Sequence, residues 1–378
     1  MRVAILSDNP TVSTGYGNVA RNLAVNLVAL GHEVSVAGFQ YAGAPIYIVA
    51  GIQMFEGGNP QSMSKYIVDV KPDVVLHIRD VWVFSRFFQA PYDLLPAARS
   101  VGARLYAYTP VQSKPLPRDL VEACRRRVDY IITMTRYGVG AYVEAGWPPD
   151  KVDYVYHAVD HTIYRPMDKA ECKKYFGFPL DKPLVGYVGM NYDYRKMIPL
   201  AMAAFKEAAD RLGGDAYMFI GSERASYWDL NTWIDTLGLK DKVFFPAFQG
   251  KTWGFTVEEM AKLYNAFDVL VLSSASEGFG IPPLEAQACG TPIIVTDTPV
   301  SREVYGDGAL YAKSTPTYPT VWGSWEWIVD YKHMGELIYN VLTDNNLRGD
   351  IVNKAVANAS KYTWRDVTQR LADIFERR

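Results

Sequence analysis

The sequence predicts an α/β protein of two units, each a parallel sheet with helices between its strands. Three observations carry this reading. Short apolar runs recur at 3–6, 34–36, 46–50, 74–78, 105–108, 130–134 and 152–156, most of them separated by helical segments, the alternation of a parallel sheet. A second strand–turn–helix series begins at Leu184, after Pro166 and the polar stretch 167–174, which puts a boundary near 165. The run 269–272, Val-Leu-Val-Leu, reads as a strand buried on both faces.

Composition narrows the class. The 378 residues are enough for roughly two to three domains, and 49% apolar with 21% charged residues describes an ordinary globular protein. A net charge of −2 gives no general attraction to nucleic acid or to an anionic membrane. The three cysteines, Cys124, Cys172 and Cys289, are scattered and form no CxxC pair. Neither a disulfide framework nor a zinc site can be built from them, and they read as reduced thiols of a cytoplasmic protein. Asp8 interrupts the first apolar run, which makes it a strand rather than a signal peptide. No apolar segment approaches the ~20 residues of a transmembrane helix. Arg118, Arg125, Arg126 and Arg127 are diluted by Asp119, Glu122 and Asp129, so a solvated surface is expected there and peripheral membrane contact is not favoured.

In the first half, a loop Ser13-Thr14-Gly15-Tyr16-Gly17-Asn18 is expected between the first strand and a helix carrying Val19, Leu23, Leu27 and Leu30. The run from Gly15 to Ala20 fits only the loose dinucleotide fingerprint. A long loop separates it from its strand, and the next strand ends in Phe39-Gln40 without the acid that would hold a ribose. The dinucleotide reading is therefore rejected. Open α/β sheets bind ligands beyond their strand ends, which singles out His77, Arg79 and Asp80 after 74–76, and Thr109 after 105–108. A histidine within an apolar strand is more often structural than catalytic; Asp80 has the better claim to a sugar.

In the second half, Arg195-Lys196 follows the strand 184–188 and opens a helix with Ala201, Ala204, Phe205 and Ala208. The helix dipole disfavours cations at that end, so the pair is better explained by a bound diphosphate than by capping. After 269–272 comes a small-residue turn, then Glu277, Gly278-Phe279-Gly280, and a helix start at Ile281-Pro282-Pro283 that includes Glu285. Glycines let backbone approach a ligand, and a helix start attracts phosphate. Two carboxylates beside such a site suit sugar hydroxyls.

The stretch Glu277-Gly-Phe-Gly-Ile-Pro-Pro-Leu-Glu285-Ala, with seven residues between its glutamates, resembles the signature of family-4 retaining glycosyltransferases of the GT-B fold. The resemblance implies two Rossmann-like α/β domains facing across a cleft: 1–165 on the acceptor side, 166–360 for the nucleotide-sugar donor, and a C-terminal helix 361–378 returning to the first domain. It implies transfer of a sugar from a UDP- or GDP-linked donor to a hydroxyl of a glycan or lipid, with retention and without metal or other cofactor. Glu277, Arg195 and Lys196 would be catalytic. Glu285 would hold ribose; Gly278, Phe279, Gly280, Ile281 and the Gly15-Tyr16-Gly17 loop, near the donor phosphates, and Phe248, near the base, would also bind the donor. Asp80, His77 and Thr109 would lie on the acceptor or sugar side. The family's arginine directly after the strand glycine is replaced by Met190, with Arg195 substituting, and Gln112 stands near Thr109 where relatives carry histidine or aspartate. Other readings are a nicotinamide-dependent oxidoreductase, a non-catalytic nucleotide-sugar-binding relative, and an epimerase or phosphorylase on a similar scaffold. Residues 314–330, rich in Thr, Pro and Trp, exceed the family pattern and are expected to form an extra surface loop or an aromatic mini-core.

Overall fold

Val3, Ala4, Ile5 and Leu6 are all buried because they form β1 (Arg2–Asp8), a central strand of the first sheet. The structure is a computed structural model and describes residues 1–12, 14–39, 41, 43–84, 93–247 and 254–377. The other strands of this sheet are β2 (Glu33–Phe39), β3 (Ile46–Tyr47), β4 (Gln53–Glu56), β5 (Val74–Ile78), β6 (Arg104–Thr109), β7 (Tyr130–Thr133) and β8 (Val152–Tyr154). Their spatial order is β3-β4-β2-β1-β5-β6-β7-β8. Every pairing is parallel except β3 with β4. The chain winds one way from β1 to β2 and the other way from β1 to β5, which leaves a topological switch between β1 and β5.

Two local expectations need correction here. The loop expected over 13–18 is shorter, because the helix already starts at Gly15, where the Thr14 hydroxyl accepts a hydrogen bond from Gly17 N at 3.0 Å. A side chain on Gly17 would come within 2.7 Å of the Asn9 and Val12 carbonyls, so its glycine is explained by packing alone. The run 46–50 is not one strand: β3 is two residues long and a 3-10 turn, Val49–Gly51, follows. Ile46, Tyr47 and Val49 are exposed, so the apolar run marks a sheet edge rather than core.

The chain divides into two compact units, one of Met1–Ala158 with Val321–Ser324 and Trp364–Arg378, the other of Val159–Thr320 with Trp325–Thr363. Residues 159–165 thus fall in the second unit, where Val159 N donates to Tyr362 O at 3.2 Å and Tyr164 packs 6.0 Å from the Tyr264 ring. The terminal helix Trp364–Glu376 belongs to the first unit. Phe375 meets the Tyr106 ring edge-on at 5.0 Å, and Arg370 pairs with Asp153 at 2.6 Å.

The second unit repeats the winding. Its sheet contains β9 (Leu184–Val188), β10 (Tyr217–Gly221), β11 (Val243–Phe244), β12 (Val269–Leu272), β13 (Ile293–Thr296) and β14 (Leu310–Ala312). The order is β11-β10-β9-β12-β13-β14, all parallel, and the switch lies between β9 and β12. Both of these strands are buried throughout, as a sheet covered on both faces requires. Residues 314–330 are not a loop but an antiparallel hairpin, β15 (Ser314–Pro319) and β16 (Trp325–Val329). Among its aromatics, Tyr318 stacks on Tyr194 at 4.7 Å.

Close packing at the second switch explains Gly186 in β9: a Cβ there would lie 2.2 Å from the Phe267 ring. Gly186→Ala is expected to lower stability by about 3 kcal/mol, since a buried ring must move to admit the methyl group. A urea-unfolding midpoint equal to wild type would refute this.

Candidate active site

In each unit the charged residues gather at the carboxyl ends of the two switch strands. In the second unit these ends carry Asp193–Lys196 after β9 and Ser273–Glu277 after β12. Arg195 and Lys196 lie in a 3-10 turn, Tyr194–Lys196, and Met197 takes left-handed backbone (φ 44°) before the helix Ile198–Arg211. That turn aims both cations at one carboxylate. Lys196 Nζ donates to Glu277 Oε1 at 2.6 Å, and Arg195 Nη1 donates to Glu277 Oε2 at 2.9 Å.

Arg195 is buried and almost fully engaged. Its Nη1 also donates to Ser276 O at 2.7 Å, its Nη2 to Tyr192 Oη at 2.6 Å, and its Nε lies 3.5 Å from Asp193. Lys196 donates one hydrogen bond among the described residues. Burial alone would raise the Glu277 carboxyl, but Lys196 and Arg195 outweigh it and hold it at about 2. Burial lowers the Lys196 ammonium, partly offset by Glu277. With Asp193 beside Arg195 Nε, the cluster sets two cations against two carboxylates, and Lys196 keeps donors to spare.

Glu285 has the opposite environment. It sits on the helix Ile281–Ala288, accepts from Tyr264 Oη at 2.9 Å, and has no cation among its described neighbours. Burial raises its carboxyl to about 7, against the pull of Tyr264 and Tyr164. Gly278 and Phe279 are buried between the two glutamates, and Gly280 precedes the helix with φ 87°. Its carbonyl accepts from Tyr305 Oη at 2.8 Å. Pro282 and Pro283 have no N–H, so among the first three helical residues only Ile281 offers a helix-start amide.

The first unit's switch is built on compensated charge. Asp8 accepts from Arg79 Nη2 and Thr14 Oγ1 at 2.8 and 2.9 Å, and Asp80 accepts from Tyr16 Oη at 2.9 Å. Gly15 and Tyr16 open the helix above it, with Gly17 packed beneath. His77 is buried against Phe84; burial, aided by Arg79, lowers its imidazole to about 3, so it is a neutral core residue. Thr109 is buried at the end of β6, where, among the described residues, its hydroxyl reaches Pro110 O at 3.5 Å. Neither His77 nor Thr109 presents an exposed polar group. Phe248 lies outside the described residues. Among the described residues no group of three or more His, Cys, Asp or Glu could hold a metal, and no helix is long and apolar enough to cross a membrane.

Residues 168–355, which include the whole second cluster, match the glycosyl transferases group 1 family. They belong to that family. The chain is 34% identical over 151 residues to a D-inositol 3-phosphate glycosyltransferase of Mycobacteroides abscessus, covering 39% of this chain and 31% of that protein. It is 29% identical over 239 residues to the Mycobacterium tuberculosis enzyme of the same name, covering 61% and 45%. The chain thus spans less than half the length of these curated relatives. Anabaena Alr3699/HepE, crystallised with UDP and glucose, superposes with a TM-score of 0.74 at 14% identity, covering all of both chains. Sucrose-phosphate synthase from Thermosynechococcus elongatus gives 0.76 at 15% identity, covering 100% and 98%. These likenesses show the GT-B fold, two Rossmann-like α/β domains, for a group 1 glycosyltransferase domain and the unit that accompanies it.

Several members of the second cluster escape sequence reasoning. Tyr192 and Asp193 flank the Arg-Lys pair that drew attention, and Tyr264 and Tyr305 lie outside the signature altogether. Their aromatic character gave no sign of which hydroxyl would meet a carboxylate.

Two outcomes follow from this geometry. A Cβ at Gly280 would lie 2.0 Å from Tyr305 Oη, so Gly280→Ala should lower the melting temperature, and adding Tyr305→Phe should recover part of the loss; no recovery would remove Tyr305 as the cause. The folded state binds the Glu285 proton more tightly than the unfolded chain, so this contribution to stability is complete below about pH 4.5 and lost as pH rises through about 7. Glu285→Gln should flatten the urea midpoint between pH 5 and 8, and an unchanged slope would contradict the assignment.

Proposed function

We propose that the protein transfers a sugar from a nucleotide-diphosphate sugar, UDP- or GDP-linked, to a hydroxyl of a glycan or lipid acceptor, with retention at the anomeric carbon. The observation that carries this reading is the pairing of Arg195 and Lys196 on Glu277, which lies four residues before the helix Ile281–Ala288. A departing nucleoside diphosphate accumulates negative charge, and fixed cations and amides in a partly dry site stabilise it without reorganising. Lys196, with donors to spare, meets the diphosphate. Arg195, held by Ser276, Tyr192 and Glu277, fixes the carboxylate. These side chains supply the charge that a metal ion would otherwise bring.

Glu277 then has oxygen lone pairs left for hydroxyls of the transferred sugar, and Glu285 accepts from the ribose. Gly278, Phe279, Gly280 and Ile281 bring backbone close to the diphosphate, and Phe248 belongs to the base-binding segment. On the first unit, Gly15, Tyr16 and Gly17 assist with the donor, and Asp80 takes the acceptor or sugar side. Same-face attack by the acceptor hydroxyl would give retention. Support comes from the family match and from the relatives, two of which are named as glycosyltransferases and one of which was crystallised with UDP and glucose. The three cysteines are buried and free, which fits a cytoplasmic location.

The test is binding and hydrolysis of UDP-, GDP- and ADP-sugars by the purified protein. Wild type should bind and slowly hydrolyse at least one; Lys196→Ala and Glu277→Ala should each lower turnover at least about a hundredfold with the fold intact. Near-normal turnover by a folded variant would refute its role. Ribose hydroxyls favour the ionised form of Glu285, so donor binding should expel a proton below about pH 7 and affinity should rise with pH until then. Calorimetry in buffers of different ionisation heat reads that proton. Its release unchanged in Glu285→Gln would place the ribose elsewhere.

A further inference from the structure

The hairpin β15–β16 lies outside the doubly wound sheet, yet its second strand is pinned to the signature loop. Trp327 N donates to Ala275 O at 3.0 Å, and Ala275 N donates to Arg195 O at 2.7 Å. The residue before Trp327, Glu326, is only 3% exposed, although it stands between two tryptophans in a strand with an exposed neighbour, Trp325. Glu326 Oε1 accepts from Ser276 Oγ at 2.8 Å. Tyr194, stacked on the hairpin's Tyr318, brings its hydroxyl to the same carboxylate. Tyr318 and Glu326 are cross-strand partners, so one face of the hairpin supplies both contacts. A buried carboxylate among apolar residues is unfavourable unless its partners hold it.

The consequence is a relay of fixed groups. Glu326 holds the Ser276 hydroxyl; Ser276 O receives Arg195 Nη1; the same nitrogen donates to Glu277. Ser276 is thereby gripped from both sides, and its carbonyl direction sets where Arg195 presents Glu277.

We infer that Glu326 is a positioning residue for the proposed transfer reaction: through Ser276 it fixes the orientation of Arg195 and Glu277, and the hairpin serves to deliver it. This inference rests on the transferase reading above. A side chain displaced by about 1 Å from a reacting arrangement can lose about a hundredfold in rate, so Glu326 acts on turnover more than on ground-state binding. Either a carboxylate or an amide oxygen can accept from Ser276, which makes glutamine the conservative replacement.

The experiment first measures UDP, GDP and ADP binding to wild type by calorimetry, then hydrolysis of the glucose conjugate of the best-bound nucleotide. Glu326→Ala is expected to lower kcat about thirtyfold to a hundredfold while KM stays within about twofold. Glu326→Gln should restore kcat to within about threefold of wild type. Ser276→Ala should reproduce the loss, and the double variant should lose no more than either single one, the signature of residues acting through one contact. Thr317→Ala, exposed on the hairpin, controls for general disturbance. If Glu326→Ala does not fold, Glu326→Gln and Ser276→Ala still test the relay. Full kcat in folded Ser276→Ala, additive losses, or a matching loss in Thr317→Ala overturns the inference. Absence of any nucleotide binding by wild type would instead bring down the transferase reading, and this inference with it.

Discussion

The arrangement depends on burying two positive charges beside one carboxylate. Removing an ion from water is unfavourable by several kcal/mol, and a buried cation persists only with a well-placed partner. Glu277 is that partner for Arg195 and Lys196 together, 2.9 and 2.6 Å away. The surrounding structure serves this pairing: the 3-10 turn that carries both cations, the left-handed Met197 that starts the next helix, and the Ser276 and Ala275 backbone that ties the two loops. Asp193 lies 3.5 Å from Arg195 Nε, so the two cations stand between two carboxylates. They also precede the helix Ile198–Arg211, whose dipole disfavours cations at that end. An anion meeting the spare donors of Lys196 would lessen that repulsion.

Both units wind the same way, and their switch points differ in charge. In the second unit Arg195 and Lys196 stand against Glu277 and Asp193, with donors of Lys196 left over. In the first, Arg79 is balanced by Asp8, and Asp80 adds a negative charge held by Tyr16. A polyphosphate suits the second, where Lys196 has donors to spare, better than the first with its added carboxylate, whereas a neutral polyhydroxyl ligand would be accepted by the carboxylates and phenol of the first. This asymmetry is the physical ground for placing donor and acceptor on different units in the proposed function, and it comes from a few residues grafted on one topology.

The sheets were legible because parallel strands buried on both faces leave continuous apolar runs, as at 184–188 and 269–272. The Arg-Lys pair and the two glutamates were legible because charges near glycines at strand ends break that pattern. Other features were silent for physical reasons. The apolar run 46–50 covers a sheet edge, so its hydrophobicity does not report burial. The hairpin's Thr-Pro-Trp composition carried no sign of alternation strong enough to mark Glu326 as inward-facing. Gly17 looked like a ligand loop, yet its lack of a side chain answers to the carbonyls of Asn9 and Val12. Partner choice across the fold, such as Tyr264 with Glu285, is set by tertiary contact and leaves no local trace.

The two signature glutamates illustrate how neighbours, rather than residue type, assign chemistry. Glu277 and Glu285 lie on one short segment and are both largely withdrawn from water, so burial pushes both upward. Two cations reverse that push at Glu277 and hold it at about 2; two phenols only moderate it at Glu285, which rests at about 7. Glu277 is therefore ionised across the whole physiological range, and its acceptor strength does not vary with pH. Glu285 is poised at neutrality, and a ligand that donates hydrogen bonds to it must also displace its proton. In the proposed function the grip on the transferred sugar is thus constant while the grip on the nucleoside is set by pH, since the groups that fix the first are charges and those that fix the second are neutral hydroxyls.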